Sequence, residues 1–304
     1  SGHCLCRIFG NCNRGIEVAS AELRIINRRI KSVRSTKKIT RAMELIASSR
    51  IVKAQNRMKS SESYFGLLSE IVQDLIDNGA VPKVDSEEVK DKVLLIVLTS
   101  DRGLAGAYNT NVLKIADNRR IDIEKSGREV EIVTVGKKAT SYFTYRKIEV
   151  SAEYEGITDS PEFEHALEVM TPITDKYYSG EVSSIEIAYT NYKSALTQDA
   201  VVRQVLPLDP KEIENKSSVT FEPSGEEVLN SILPKYANAS FFNALLNGST
   251  SEHAARMRAM KAATDNAEEL IKLLAMKSNQ ARQAEITTEI SEIVGGSEAL
   301  SDAS

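Results

Sequence analysis

IEVASAELRIINRRIKSVRSTKKITRAMELIASSRIVKAQNRMKSSESYF, residues 16–65, runs without a glycine or a proline. Within it Leu23, Ile26, Ile30 and Val33 recur at alternating steps of three and four, the pattern of a coiled-coil seam. After an interruption at residues 35–38 the stripe resumes as Ile39, Met43, Ile46, Val52 or Ala54, and Met58, drifting around the helix. At the far end of the chain, residues 249–294 form a second run free of both breakers. Here Met257, Met260, Thr264, Ala267, Ile271, Leu274, Ser278, Ala281 and Thr288 take heptad-like positions, and Ala255, Ala259, Ala262 and Ala263 add a second, small face. At about 1.5 Å per residue each run would reach roughly 70 Å, twice the width of an ordinary domain. Helices of that length cannot bury themselves in a globule of 304 residues. Two different stripes within one chain favour packing on each other, antiparallel, as a shaft built from the two ends.

Between the runs, strand and helix patterns alternate. Strands are predicted at residues 92–99, 129–135, 147–154, 184–190, 201–208 and 218–221, and helices at 109–125, 136–145 and 160–178. Such alternation predicts an α/β body with a mostly parallel, doubly wound, Rossmann-like sheet. A further helix at 227–246 is expected to be interrupted by Pro234, and Asn247-Gly248-Ser249-Thr250 to break the chain and cap the second long run. The domain reading is a disordered leader over 1–19, a first shaft helix over 20–80, the body over 90–222, the helices completing the shaft over 223–294, and a tail over 295–304.

Charge is divided unevenly along the chain. Residues 20–60 hold twelve Lys or Arg against Glu22 and Glu44, a balance of +10, whereas residues 252–292 hold six bases and seven acids, a balance of −1. With a net charge of −4, the remainder carries −13, so one helix is strongly basic and the body acidic. An acidic body repels a phosphate backbone and no aromatic residues interleave the basic ones, which argues against nucleic acid and for an acidic protein surface around the shaft. Aromatic residues make up 6% of the chain and Trp is absent, which suits Ala- and Leu-rich helix packing better than a ligand pocket. No run of 18 apolar residues is present to span a membrane. Cys4, Cys6 and Cys12, with His3, fit no standard zinc spacing.

Candidate chemistry centres on the loop after the first strand, Thr99-Ser100-Asp101-Arg102-Gly103-Leu104-Ala105-Gly106, where a doubly wound sheet would bind a nucleotide. It carries neither GxGxxG nor GK[ST], and Ser100 stands in no GxSxG elbow. His165 and His253 lack any metal-site spacing. No cofactor and no catalytic site are therefore expected in this chain, and the loop reads as turn and interdomain contacts.

Four motifs carry a resemblance. They are Lys37-Lys38-Ile39-Thr40-Arg41-Ala42-Met43-Glu44-Leu45-Ile46-Ala47; the loop Ser100-Asp101-Arg102-Gly103-Leu104 with Asn109; Ser251-Glu252-His253-Ala254-Ala255-Arg256-Met257 continuing through Ala262-Ala263-Thr264-Asp265-Asn266-Ala267; and Arg282-Gln283-Ala284-Glu285-Ile286-Thr287-Thr288-Glu289-Ile290-Ser291-Glu292-Ile293-Val294. In this order they resemble the gamma subunits of F-type ATP synthases, from about residue 20 to the end. The chain departs from that pattern at Gly296-Ser297, where the family usually has Gly-Ala, and residues 1–19 have no counterpart.

The resemblance implies a central rotor shaft standing inside a ring of three alpha and three beta subunits. The body would sit at the foot with the epsilon subunit on the membrane c-ring, and catalysis would belong to the ring. It implies that Arg256, Gln283, Thr287, Glu289 and Glu292 touch the ring or tie the shaft together near its tip, and that Lys38, Arg41 and Met43 form the corresponding patch on the first helix. Residues 46–55 look bacterial, which places such a complex at the cytoplasmic face of the plasma membrane, the matrix side of a mitochondrial inner membrane being the alternative. The competing class is a non-catalytic coiled-coil scaffold or nucleic-acid adaptor, which accounts for the shaft and its basic face but not for four motifs in order.

Overall fold

The computed structural model describes residues 5–80, 90–208 and 224–301. They fall into two compact units, one drawn from residues 1–44 and 260–304, the other from residues 45–259.

The larger unit is built on a five-stranded sheet. Its elements are β1 (Lys92–Leu98), α2 (Tyr108–Lys125), β2 (Glu129–Val135), α3 (Lys137–Tyr145), β3 (Ala152–Tyr154), α4 (Phe163–Tyr178), β4 (Ser184–Tyr192) and β5 (Gln198–Leu206). They stand between two long helices, α1 (Leu5–Asp77) and α5 (Gly225–Ser301). Strand order is β3-β2-β1-β4-β5, with β3, β2, β1 and β4 parallel and β5 antiparallel at the edge. The central strand explains the arrangement. Leu94, Ile96 and Leu98 of β1 point into a core with α4 and with the parts of α1 and α5 nearest the sheet, while Leu95 and Val97 point into a second core under α2 and α3. A parallel strand covered on both faces must be apolar at every position, as KVLLIVL nearly is. Each such side chain contributes on the order of 1.5–3 kcal/mol by burial.

The expected strand at 147–154 shortens to three residues. Lys147 closes α3 in the left-handed region at φ 58°, with Ile148 N donating to Phe143 O, so the chain is still leaving the helix where extended backbone was predicted. The strand predicted at 218–221 lies outside the described residues.

Two expected breaks in the C-terminal segment do not occur. α5 continues through Pro234 and through Gly248. Gly248 marks a close approach: a Cβ there would lie 2.8 Å from Leu98 Cδ2 and 3.2 Å from the Tyr108 hydroxyl, so only glycine lets the helix rest on the end of β1. The helix also runs on to Ser301, past the expected tail boundary at 295, and α1 begins at Leu5, within the expected leader. No proline stands in either extension, and a helical glycine costs only about 1 kcal/mol against alanine while each further residue adds a backbone hydrogen bond.

In the smaller unit α1 and α5 pair side by side. Thr40 and Thr264 hydroxyls meet at 2.8 Å, Lys37 Nζ reaches Glu268 Oε2 at 3.0 Å, and Ser278 Oγ donates to Asn27 Oδ1 at 3.3 Å. One partner's number falls as the other's rises, so the pair is antiparallel. Buried and half-buried positions on α1 run Leu23, Ile26, Ile30, Val33, Lys37 and Thr40 at unbroken steps of three and four. The interruption expected at 35–38 is absent, because Lys37 and Thr40 hold the seam with polar partners on α5. The predicted continuation through Ile39 is corrected accordingly: Ile39 is 59% exposed and lies outside. On α5 the seam follows Met260, Thr264, Ala267, Ile271, Leu274, Ser278 and Ala281, as its heptads predict, but the predicted position Thr288 is exposed and lies outside it.

Candidate functional site

Solvent reaches one face of α1 that carries both charge and apolar surface. Lys38 and Arg41 are exposed, and Arg41 Nη1 grips both Glu44 oxygens at 2.8 and 2.9 Å. Met43 is half-buried, between exposed Ile39 and Ile46, which is 56% exposed. Steps of four and three place Ile39, Met43 and Ile46 on one helical stripe. The apolar residues that seemed to drift along the seam thus form an outward-facing row, with Lys38 toward one edge of it and Arg41, two residues from both Ile39 and Met43, on a different side of the helix. Exposed rows of large aliphatic side chains mark surfaces made to be covered by a partner.

A second such row lies on α5. Ile286, Ile290 and Ile293 are exposed, the last at 71%, among the polar residues singled out by the resemblance. Gln283, Thr287 and Glu289 are exposed, with Thr287 Oγ1 donating to Gln283 O at 2.9 Å, and Glu292 is half-buried. The sequence reading passed over this isoleucine row, although its spacing of four and three was visible. In the antiparallel register Lys38 lies opposite about residue 267, so Gln283 and the residues after it stand at least ~24 Å farther along the pair. The structure therefore makes two patches of the eight predicted residues, with Arg256 apart from both.

Arg256 belongs to the body. Residues 250–256 of α5 are buried against the loop after β1. Arg256 Nη2 donates to Glu252 Oε1 at 2.5 Å and to Gly103 O at 3.3 Å, and its Nη1 lies 3.4 Å from His253 Nδ1. His253 Nε2 lies 3.3 Å from Asp159 O, and the Asp159 carboxylate takes Arg50 Nη1. The loop is tied from its other side as well: Thr158 Oγ1 donates to Asp101 Oδ2 at 2.9 Å, Lys137 N to Asp101 Oδ1 at 3.1 Å, and Ser100 N to Asn109 Oδ1 at 2.9 Å. Burial raises the pKa of Glu252 against the opposing pull of Arg256. Burial also pushes Asp159 upward, but the hydrogen bond and charge of Arg50, with the charge of Arg102, bring it below the usual carboxylate range. These residues are turn contacts, as the loop sequence suggested, but the ties join segments within the larger unit rather than two domains, and Arg256 is a tie rather than a surface group.

His253 offers a test of this network. Burial lowers its pKa, with only partial compensation from Asp159, so its neutral ring donates from Nε2 and accepts Arg256 at Nδ1. The unfolded chain takes up that proton near pH ~6.5 and the folded chain only at lower pH. Stability is therefore fully present above ~6.5 and lost progressively as pH falls toward the folded pKa. His253→Gln is expected to flatten the drop in thermal midpoint from about pH 7 to about pH 5. An unchanged slope would remove His253 from the network.

The crevice beyond the carboxyl ends of β1 and β4, where the strand order reverses, is the usual ligand position in an open α/β sheet. Here α5 lies in it. Tyr192 N donates to Asn247 Oδ1 at 3.2 Å, Ser251 Oγ to Thr190 O at 3.4 Å, and Gly248 rests on Leu98. Calorimetry on the full chain is accordingly expected to give no ATP or NAD binding at micromolar concentrations; stoichiometric binding would overturn this. Among the described residues no cluster of His, Cys, Asp and Glu could hold a metal, and no helix is long and apolar enough to cross a membrane.

The family model of ATP synthase matches residues 22–300. Similar proteins include the ATP synthase gamma chain of Streptomyces avermitilis, 43% identical over 297 residues, covering 93% of this chain and 97% of the relative. That of Thermobifida fusca is 41% identical over 298 residues, covering 93% and 98%. Among solved structures, one chain of the Euglena gracilis mitochondrial ATP synthase assembly of OSCP, F1 and c-ring superposes with a TM-score of 0.70 at 16% identity, covering 93% of this chain and 96% of that one. One from the central stalk and c-ring of the Tetrahymena thermophila enzyme gives 0.57 at 22% identity, covering 74% and 99%.

Proposed function

Since this chain belongs to the ATP synthase gamma family, we propose that its paired terminal helices are the central rotating shaft of an F-type ATP synthase. The shaft couples proton flow through the membrane sector to ATP synthesis or hydrolysis in the catalytic ring. The chain itself is the non-catalytic, moving part. Its partners are the alpha and beta subunits around the shaft, and the epsilon subunit and the c-ring at the body, with no nucleic acid among them. The complex sits at the cytoplasmic face of a bacterial plasma membrane, with this subunit held there peripherally.

The observation that carries this reading is the outward row Ile39, Met43 and Ile46, with exposed Lys38 and Arg41 on other sides of the same turns, on a helix paired along its seam with its own partner. A shaft that presents a different face to each surrounding subunit drives them only through contacts that differ between states. An apolar row on a basic helix gives one side of the shaft a distinct character, and Gln283, Thr287, Glu289 and Glu292 give another level of it a different one. Mass analysis of everything that co-purifies with the chain tests the proposal. A three-plus-three ring of nucleotide-binding subunits is expected. Recovery of the chain without such a ring, together with salt-dependent DNA binding, would favour the adaptor instead.

A further inference from the structure

Within the larger unit, the C-terminal part of α1 carries a row of large apolar side chains that reach solvent. Tyr64, Leu67 and Ile71 are exposed, Leu67 at 60%. Steps of three and four set them along one side of the helix, next to the buried Leu68, Val72 and Leu75 that hold it to the core. One turn before Tyr64, a groove of about 490 Å³ lies between Ser60 and Ser61 of α1, Phe163 at the start of α4 and Phe242 of α5. The two rings are half-buried and meet edge to face with centroids 5.5 Å apart, and Leu167, one turn along α4 from Phe163, is exposed. Apolar side chains on three helices thus reach solvent around one stretch of α1, more than the scattered exposure of an ordinary surface.

Charge decides what such a surface can receive. From residue 60 to residue 80, α1 has Glu62, Glu70, Asp74 and Asp77 and no Lys or Arg, and residues 162–175 have Glu162, Glu164, Glu168 and Asp175 with His165 their one base. All of these acids but Asp74 and Asp77 are exposed. Glu70 and Asp74 follow Leu67 by three and seven residues, so they border the apolar row. Arg57 is engaged with Ser160 Oγ at 2.8 Å and Lys176 with Glu131, and neither offsets these carboxylates. The sign is opposite to that of residues 20–60, where the same helix is strongly basic.

We propose that this surface docks a cationic amphipathic helix of a partner subunit, its apolar side on Tyr64, Leu67 and Ile71 and its Lys or Arg residues on Glu70, Asp74 and the acids of α4. An apolar row bordered by carboxylates is the complement of such a helix, whose own apolar stripe recurs at the same steps. A second copy of this face would bring like charges together, and an anionic lipid or nucleic-acid surface would be repelled. The inference rests on the reading of this chain as one subunit of a larger complex, and adds to it the chemistry of a contact made by the body.

The test uses the purified complex carrying Leu67→benzoylphenylalanine, a photo-crosslinking group at an exposed position, with Ile39→benzoylphenylalanine as the control on the shaft. Adducts at residue 67 are expected to contain a partner peptide of net positive charge with apolar residues at helical spacing. Adding Glu70→Gln and Asp74→Asn is expected to lower their yield by about threefold to tenfold, the scale of two exposed ion pairs. A peptide from a second copy of this chain, an acidic peptide or a lipid adduct would overturn the proposal, as would a yield unchanged by the neutral variants. So would the absence of adducts at residue 67 in a complex that crosslinks at residue 39. Adducts at neither position would overturn the rotor reading itself, and this inference with it.

Discussion

Replacing Met43 by Lys is expected to leave the assembled complex hydrolysing ATP while ATP-driven proton pumping falls about tenfold, the loss that ~1.4 kcal/mol of added barrier produces. Met43 sits half-buried in the outward row between Ile39 and Ile46, on a helix whose other exposed sides carry Lys38 and Arg41, the latter clamped on Glu44. A lysine there puts a further cation into an apolar strip of a basic helix. Against an acidic ring surface it makes a contact that holds one rotary state too tightly, so the step that exchanges states slows while bond cleavage in the ring does not. Charge at a partner surface changes specificity and rates more than it changes total affinity, so assembly is expected to survive. The amount of assembled complex, measured alongside, separates uncoupling from failure to assemble. A wild-type ratio of pumping to hydrolysis in the assembled variant would make Met43 a bystander.

Arg256→Met should destabilise the body by about 3–5 kcal/mol, because it strands a buried carboxylate. Glu252 is 2% exposed, its Oε1 is held by Arg256, and its Oε2 has no partner among the described residues. Removing the guanidinium leaves that carboxylate to protonate or to force the loop at Gly103 open. The double variant Glu252→Gln, Arg256→Met is expected to recover most of the loss, since no buried charge is then left behind. Urea unfolding of these two variants and of Glu252→Gln alone gives the coupling directly. A double variant as unstable as Arg256→Met alone would show that Arg256 acts through Gly103 O and His253 rather than through Glu252.

Much of this architecture was legible in the chain. The strands around 92–99 and 129–135 and the helix near 109–125 appear within a residue or two, since buried parallel strands and amphipathic helices announce themselves by period. The α5 seam was legible for the same reason. On α1 the eye follows apolar residues, and between 35 and 46 these leave the seam, because its positions are held by Lys37 and Thr40. Only the partner helix reveals which side is inside. Gly248 shows the converse limit, since a glycine required by packing is indistinguishable in sequence from one that ends a helix. The network around Arg256 joins the loop after β1, the residues near 159 and α5, segments whose meeting depends on the sheet order. Local spacing carries no trace of it.

The polar contacts within the helical pair bear on how a rotor carries load. A seam of interchangeable aliphatic knobs can slide by one heptad, about 10 Å, and still find holes of the right size. Thr40 against Thr264 and Lys37 against Glu268 do not tolerate that displacement. Moved by seven residues, Thr40 would face Met257 or Ile271 and its buried hydroxyl would go unmet. Axial slip is thus penalised at each polar layer, and these layers act as keys between two strands of a twisted cable: torque winds the pair as one body instead of being lost as creep between its halves.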